Sequence, residues 1–370
     1  MINFFLVMNP FIDSLLKILS IVGLMTVSAM GLIYLERKIA ARFHMRLGPT
    51  RTGPAGLLQS VADALKLVGK EDIRPASADA WSFELAPYFV FIPAFMMFVT
   101  IPFTLMLNVE MLTLGLLYVI AVSSVSIVGW VMAGWGSDNR YALIGGLRAA
   151  AQGISYELPL VLAVLCIAMI SQSLNLNEII EQQSIIPNIV LQPFAFFLFF
   201  TSALAEMNRA PFDIPVGESE VVGGPFVEYS GIRWSMFFLA EYTTLLIMSI
   251  LIVALFLGGW AWPFGESLGT SWQIILTIMK TSLVIFLIFW VRVSVPRMRI
   301  DQLMNFCWKV LIPLALLQIF LNGLILVFHL PTFLLSLSSI ILMGVLILIV
   351  NKSMENLNKK HIIKNNLETV

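Results

Sequence analysis

Six carboxylates fall within one stretch of 36 residues: Glu206, Asp213, Glu218, Glu220, Glu228 and Glu241, against only Arg209 and Arg233, a local balance of −4. Glu206 and Glu241 stand at or inside strongly apolar runs. A carboxylate withdrawn from water and set beside others holds its proton more tightly, so protonation near neutral pH comes within reach. Proton uptake or a redox-linked electrostatic switch is the chemistry such a cluster can do; a solvated acidic loop has the same charge count.

The stretch from Arg37 to Arg74 has the opposite sign, with eight bases against Asp63, Glu71 and Asp72, a balance of +5. Between the two lies YALIGGLRAAAQGISYE, in which Arg148 and Glu157 come close to lipid depth and need partners there. Lys280 lies well inside an apolar run, too deep to snorkel easily, and calls for an intramembrane partner or a file of water. His44, His329 and His361 are scattered, no phosphate-binding loop is present, and Gly145-Gly146 is no GxGxxG turn. Cys166 and Cys307 have neither CxxC spacing nor the density of a disulfide framework. No metal, no redox cofactor and no nucleic acid is expected on this chain.

The elements that position these groups follow from composition. Hydrophobic residues make up 59% of the 370 positions and charged ones 12%, too few to cover a water-facing surface. Lipid offers no partners to backbone polar groups, so each crossing must be a helix of roughly 20 apolar residues. Nine such runs occur, near 14–35, 86–107, 112–134, 156–173, 188–205, 236–258, 272–291, 310–328 and 332–350, with a charged tail over 351–370. The chain is therefore expected to be an all-α polytopic membrane protein with a single membrane domain over 1–350. His329-Leu330-Pro331 leaves only a tight turn between the last two runs, so one broken helix or a re-entrant pair competes with two full spans.

Twenty of the 22 lysines and arginines fall on one side of that nine-helix topology, Lys17 and Lys280 being the exceptions. Basic loops stay in the cytoplasm, which puts the N-terminus outside and the C-terminus inside. The first ten residues lack the basic n-region of a secretory signal, so the first helix is expected to be retained. In the first basic loop Leu57, Leu58, Val61, Ala62, Leu65 and Val68 follow one helical stripe, and Gln59, Asp63, Lys66 and Lys70 the opposite one. This spacing predicts a short amphipathic helix on the membrane surface.

Four long stretches carry a family resemblance: YLERKIAARFHMRLGPTRTGPAGLLQSVADALKLVGKEDIRP (34–75), YALIGGLRAAAQGISYE (141–157), AEMNRAPFDIPVGESEVVGGPFVEYSGIRWSMFFLAEY (205–242) and VRVSVPRMRIDQLMNFCWKVLIP (291–313). In order and spacing they resemble the NADH dehydrogenase subunit 1 family, the quinone-module membrane subunits of respiratory complex I. The resemblance implies a helical subunit at the junction of the membrane and peripheral arms, in a bacterial plasma membrane, that forms most of a quinone tunnel. It assigns Arg37, Arg46, Asp63, Lys66, Phe226 and Glu228 to that tunnel and its mouth. It assigns Glu157, Glu206, Asp213, Glu218, Glu220 and Glu241 to an acidic path linking quinone chemistry to proton movement, with Arg148 and Lys280 as neighbours. Quinone would be the substrate, with iron–sulfur clusters and flavin held by partner subunits: the peripheral-arm quinone module and adjacent small membrane subunits.

Three positions depart from the family pattern: Val216 where a Glu is usual, Met207 for Thr, and His44 for Gln. With one carboxylate fewer, Glu218 and Glu220 are expected to be less elevated in pKa than in a full set. A similar subunit serves membrane hydrogenases and ferredoxin- or deazaflavin-driven dehydrogenases, and the sequence alone does not choose among electron donors. A reading of another class, a stand-alone ion transporter, would use Lys280 and the buried glutamates without partners.

Overall fold

The structure is a computed structural model that describes residues 10–104, 110, 112–263 and 269–368, and side chains over the same residues apart from 10, 11, 13, 218 and those from 353 on. Every regular element among the described residues is helical: α1 Pro10–Phe43, α2 Gln59–Gly69, α3 Ala80–Met96, α4 Gly115–Gly136, α5 Arg140–Ser171, α6 Leu176–Gln182, α7 Asn188–Leu191, α8 Pro193–Glu206, α9 Glu218–Val221, α10 Gly231–Phe256, α11 Thr270–Ser294, α12 Ile300–Phe306, α13 Ile312–Val327 and α14 Phe333–Glu368. Short 3-10 turns extend α3 to Thr100 and precede α2, and a π-helical turn, Cys307–Leu311, joins α12 to α13.

Among the described residues eight helices are long and apolar enough to cross a bilayer; the ninth expected run, 188–205, is broken. Gln192, with φ −137° and ψ 61°, splits it into the four-residue α7 and the 14-residue α8. The following Pro193 has no N–H to give and disfavours the helical conformation in the residue before it. The break is held by buried polar groups, Phe194 N–H donating to Ser339 Oγ at 2.9 Å and Gln192 Nε2 to Asn322 Oδ1 at 2.9 Å. The last two runs are two separate helices, α13 and α14, and α14 continues without interruption through much of the expected tail.

Other boundaries shift where capping or packing overrides hydropathy. The run expected from 86 begins six residues earlier, because Asp79 caps α3 by accepting from Ser82 N–H at 3.3 Å. The run expected from 156 is continuous from Arg140, where Asn139 caps Tyr141 N–H at 2.9 Å. Gly145-Gly146 does not interrupt it. Gly146 lies against the α4 backbone at Trp130 and Gly134, and a Cβ on Gly145 would come within 2.5 Å of the Gly224 Cα. These glycines admit two backbones at close range, a gain that outweighs their low helix propensity. Arg148 and Glu157 consequently share one rigid helix.

The core is apolar and centred on α10, flanked by α3, α11 and α1, with Phe83, Tyr156, Phe199, Phe237 and Phe256 fully buried. Lipid-facing helices show the reverse pattern, with large apolar side chains such as Leu19, Val27, Leu283 and Ile340 exposed. That is the arrangement expected when hydrocarbon is the solvent.

Candidate functional site: a charged cluster over an apolar groove

Two inputs fix the 205–229 segment. Gln152 on α5 donates from one amide nitrogen to Ala205 O and to Phe212 O, both at 2.7 Å, pinning the chain reversal after α8. Farther on, Phe226 enters an aromatic group, 5.2 Å from Trp130 and 5.4 Å from Phe237, and Tyr229 stacks on Phe83 at 4.2 Å. Phe226 is thus a packing wedge that sets where Glu228 emerges. Glu228 accepts a hydrogen bond from Asn139 Nδ2 at 2.6 Å.

The most deeply placed charges join three helices to one residue of the 207–217 segment. Glu36 on α1 pairs with Arg292 on α11 and, at 3.4 Å, with Arg209; Arg209 in turn lies 3.9 Å from Glu241 on α10. Arg209, only 4% exposed, also sits 4.5 Å over the Tyr242 ring. Two acids and two bases from four segments therefore form one balanced cluster, the condition under which buried charges are tolerated. Asp213 is half-buried and close enough to Glu241 for their charges to interact.

Glu206 at the end of α8 continues this cluster inward. It shares with Glu241, Ser123, Ser126, Asn208 and Thr244 a cavity of about 20 Å³, room for a single water between two carboxylates. Glu157 on α5 is near enough to Glu206 for their charges to repel. Arg148, two turns before Glu157 on the same helix, donates to Glu220 at 2.5 Å, and Arg297 approaches Glu220 at 3.8 Å. The hydrogen bond from Arg148, ahead of the opposing effect of slight burial, holds the Glu220 carboxyl below its usual value. Glu220 is thus lowered, where the sequence led to the expectation of a value raised less than in a full set. Glu218 opens α9, and its side chain lies outside the described ones.

In the first basic loop, Arg37 on α1 donates to Asp63 on α2 at 2.5 Å, and Gln59 Nε2 adds a bond at 3.2 Å. Partial burial pushes the Asp63 carboxyl up, but these donors and the nearby Lys66 outweigh it and leave it below the usual value. Gln59 and Asp63 thus face the protein while Lys66 and Lys70 are exposed, and the apolar Leu65 and Val68 are 69% and 66% exposed. Arg46 lies at the loop tip between Met45 and Leu47, both almost fully exposed.

Of the residues singled out in the sequence, the structure brings Glu206, Asp213 and Glu241 together and pairs Arg37 with Asp63; Glu36, Arg209 and Arg292, which form the hub, were not among them. Glu36 sits within an apolar helix and pairs with residues far along the chain; the signal available was a lone acid directly before Arg37 at the end of a span. Lys280 does not join the cluster. Its ammonium donates to main-chain carbonyls of Leu257, Gly259 and Trp262, at the other end of α10 from Glu241. Sixteen residues of helix separate Glu241 from Leu257, roughly 24 Å.

Beneath the charged cluster, α1, α10 and α11 enclose an apolar groove of about 880 Å³, running from Ser20 and Leu24 to Leu35 and Ile39 and floored by Phe98, Leu246 and Phe289. Glu36 and Arg37 stand between the lining residues Leu35 and Ile39 on α1 but do not themselves line it.

Fold and site together define a polytopic helical membrane protein that gathers its buried charges at one face, above a lipid-sized groove. A family model described as NADH dehydrogenase matches residues 16–323, and the chain belongs to that family. Among similar proteins is the H subunit of the NADH-quinone oxidoreductase of Brevibacillus brevis, 50% identical over 293 residues, 79% of this chain and 87% of the relative. The corresponding H subunits from Dehalococcoides mccartyi strain CBDB1 and Carboxydothermus hydrogenoformans are 44% and 43% identical, each over 84% of this chain and over 86% and 89% of their own. Apolar helices and bacterial relatives together are those of a bacterial membrane protein. The helix α14 lies beyond the residues that the family model matches.

Proposed function

We propose that this chain is the membrane subunit of a proton-translocating NADH-quinone oxidoreductase, that it forms the quinone tunnel, and that it couples quinone reduction to proton movement. The observation that carries the reading is the apolar groove of about 880 Å³ that α1, α10 and α11 enclose. Its walls suit an isoprenoid tail, and its size falls within the range of small-molecule sites. Arg37, Asp63 and Lys66 line the mouth on α1 and α2, Arg46 marks the loop tip, and Phe226 sets the position of Glu228. Glu36, Arg209, Arg292, Glu241, Asp213, Glu206 and Glu157 form the acidic path, with Glu220 and Glu218 tied to it through Arg148. The flavin and iron–sulfur clusters belong to partner subunits of the peripheral arm, which dock on the basic side. In a bacterial plasma membrane the N-terminus faces out and the C-terminus faces the cytoplasm, as the basic loops dictate.

Filling the groove tests this. Gly31→Trp, at a groove position where an added side chain meets open space, is expected in the assembled complex to raise KM for a long-tailed quinone several-fold while leaving a short-tailed analogue unaffected. Equal loss with both, or no change with either, overturns the assignment of the groove.

A further inference from the structure

A helix that ends within the membrane leaves its last carbonyls without partners, and lipid supplies none. The end of α10 shows how this chain meets that demand. Val253 O accepts from Leu257 N–H and Gly259 N–H, at 3.1 and 2.9 Å. Ala254 O accepts from Gln183 Nε2 at 2.8 Å, and Leu255 O from Asn188 Nδ2 at 2.9 Å. The turn that follows is buried, with Trp260 and Ala261 at 0% exposure, and Gly258 and Gly259 take φ of 67° and 44° to make it.

Three carbonyls of this turn converge on one point. Leu257 O, Gly259 O and Trp262 O lie 2.6, 2.7 and 2.7 Å from the Lys280 ammonium, so its three N–H donors are all used. The Trp262 ring lies 5.4 Å away on the same cation. Lys280 comes ten residues into α11, a depth of roughly 15 Å from the start of that helix. Among the described residues no carboxylate pairs with it. Its charge is balanced instead by carbonyl dipoles at a helix C-terminus, the end that carries partial negative charge.

We propose that these three carbonyls are a monovalent-cation cradle whose resident ion is the Lys280 ammonium, and that Lys280 is a positioning residue for the end of α10 and not a carrier of protons. An ammonium with all three donors engaged by carbonyls cannot give up a proton without leaving one carbonyl orphaned inside the membrane. The cradle selects by the means that carbonyl rings elsewhere use, oxygen atoms standing in for a hydration shell. An alkylammonium or a potassium ion fits that chemistry; a guanidinium, whose planar fork spreads its donors, does not. The inference stands apart from the quinone reading, since it concerns the opposite end of α10 and the groove variant leaves it untouched.

The test is cation rescue of Lys280→Ala in the assembled complex, in potassium-free buffer. Turnover is expected to fall at least about tenfold, since three buried carbonyls lose their donor together. Propylammonium and potassium ion should each restore it, and Lys280→Arg should remain impaired. Restoration by propylammonium alone identifies a titratable proton carrier and overturns the proposal. Wild-type turnover without any added cation, or no restoration by either, also overturns it. Should the variant fail to assemble, the yield of assembled complex from cells grown with either cation takes the place of turnover, and the same outcomes decide.

Discussion

The two faces of this protein solve one problem by different means. At the basic face, polar groups are sunk into the membrane boundary as ion pairs: Glu36 with Arg209 and Arg292, Arg209 with Glu241, Arg148 with Glu220. At the opposite face the partners are amides and carbonyls, with Gln183, Asn188 and one ammonium satisfying a helix end. An ion pair can change its charge by gaining or losing a proton; an amide bonded to a carbonyl cannot. The face that can titrate is the face where a charge-coupled reaction could be sensed, and the other serves as a fixed frame.

The sharpest way to break this contrast is to remove the hub. Arg209→Met strands Glu241 and leaves Glu36 to Arg292 alone, and losing one partner of a buried pair costs about 3–5 kcal/mol. Thermal unfolding of the assembled complex should show that loss, and Glu241→Gln in the same chain should recover most of the stability without recovering activity. A single Arg209→Met variant as stable as the parent would mean that the network does not hold the face together.

Gln183→Leu probes the frame. It orphans Ala254 O and the N–H groups of Asn188 and Gly258, at roughly 1–3 kcal/mol for each buried group left unpaired. Stability should fall while turnover per assembled complex stays near the parent value, the opposite of the Arg209 result after charge compensation. A selective loss of turnover would blur the distinction between the two faces.

The smallest effect is expected at Glu220, which is exposed enough that its pairing with Arg148 stabilises by no more than about 1 kcal/mol. Glu220→Gln should leave unfolding unchanged while reducing coupled proton pumping; unchanged pumping would remove Glu220 from the path. Because the folded carboxyl is held below its ordinary value, the pair contributes in full above that value and is lost as pH falls through the lower folded one. A spin-label distance between α5 and α9 should hold constant from alkaline pH to neutrality and lengthen only in acid. Lengthening near pH 7 would show that the carboxyl is raised instead.

Much of this was legible beforehand because hydrophobicity acts locally. Runs of apolar residues and the one-sided distribution of lysine and arginine gave nearly all the crossings, and the stripes of α2 gave a surface helix. What escaped depends on contacts between distant segments. The start of α5 at Arg140 rests on Gly145 meeting Gly224, and the break at Gln192 on amides from α13 and a hydroxyl from α14. The hub escaped for the same reason, since Glu36 and Arg209 are 173 positions apart. Lys280 was singled out correctly as a buried cation in need of a partner, but the partner is the main chain, which no residue type announces.

The surface helix α2 turns Gln59 and Asp63 inward and Leu65 and Val68 outward, the inverse of a helix on a water-soluble protein. Half of its setting is therefore supplied by the bilayer. Delipidation alone, with no residue changed, should slacken the Arg37–Asp63 tie by removing the medium that presses α2 into place. Lipid, for this protein, is an interchangeable part whose thickness and headgroups adjust the geometry at Arg37.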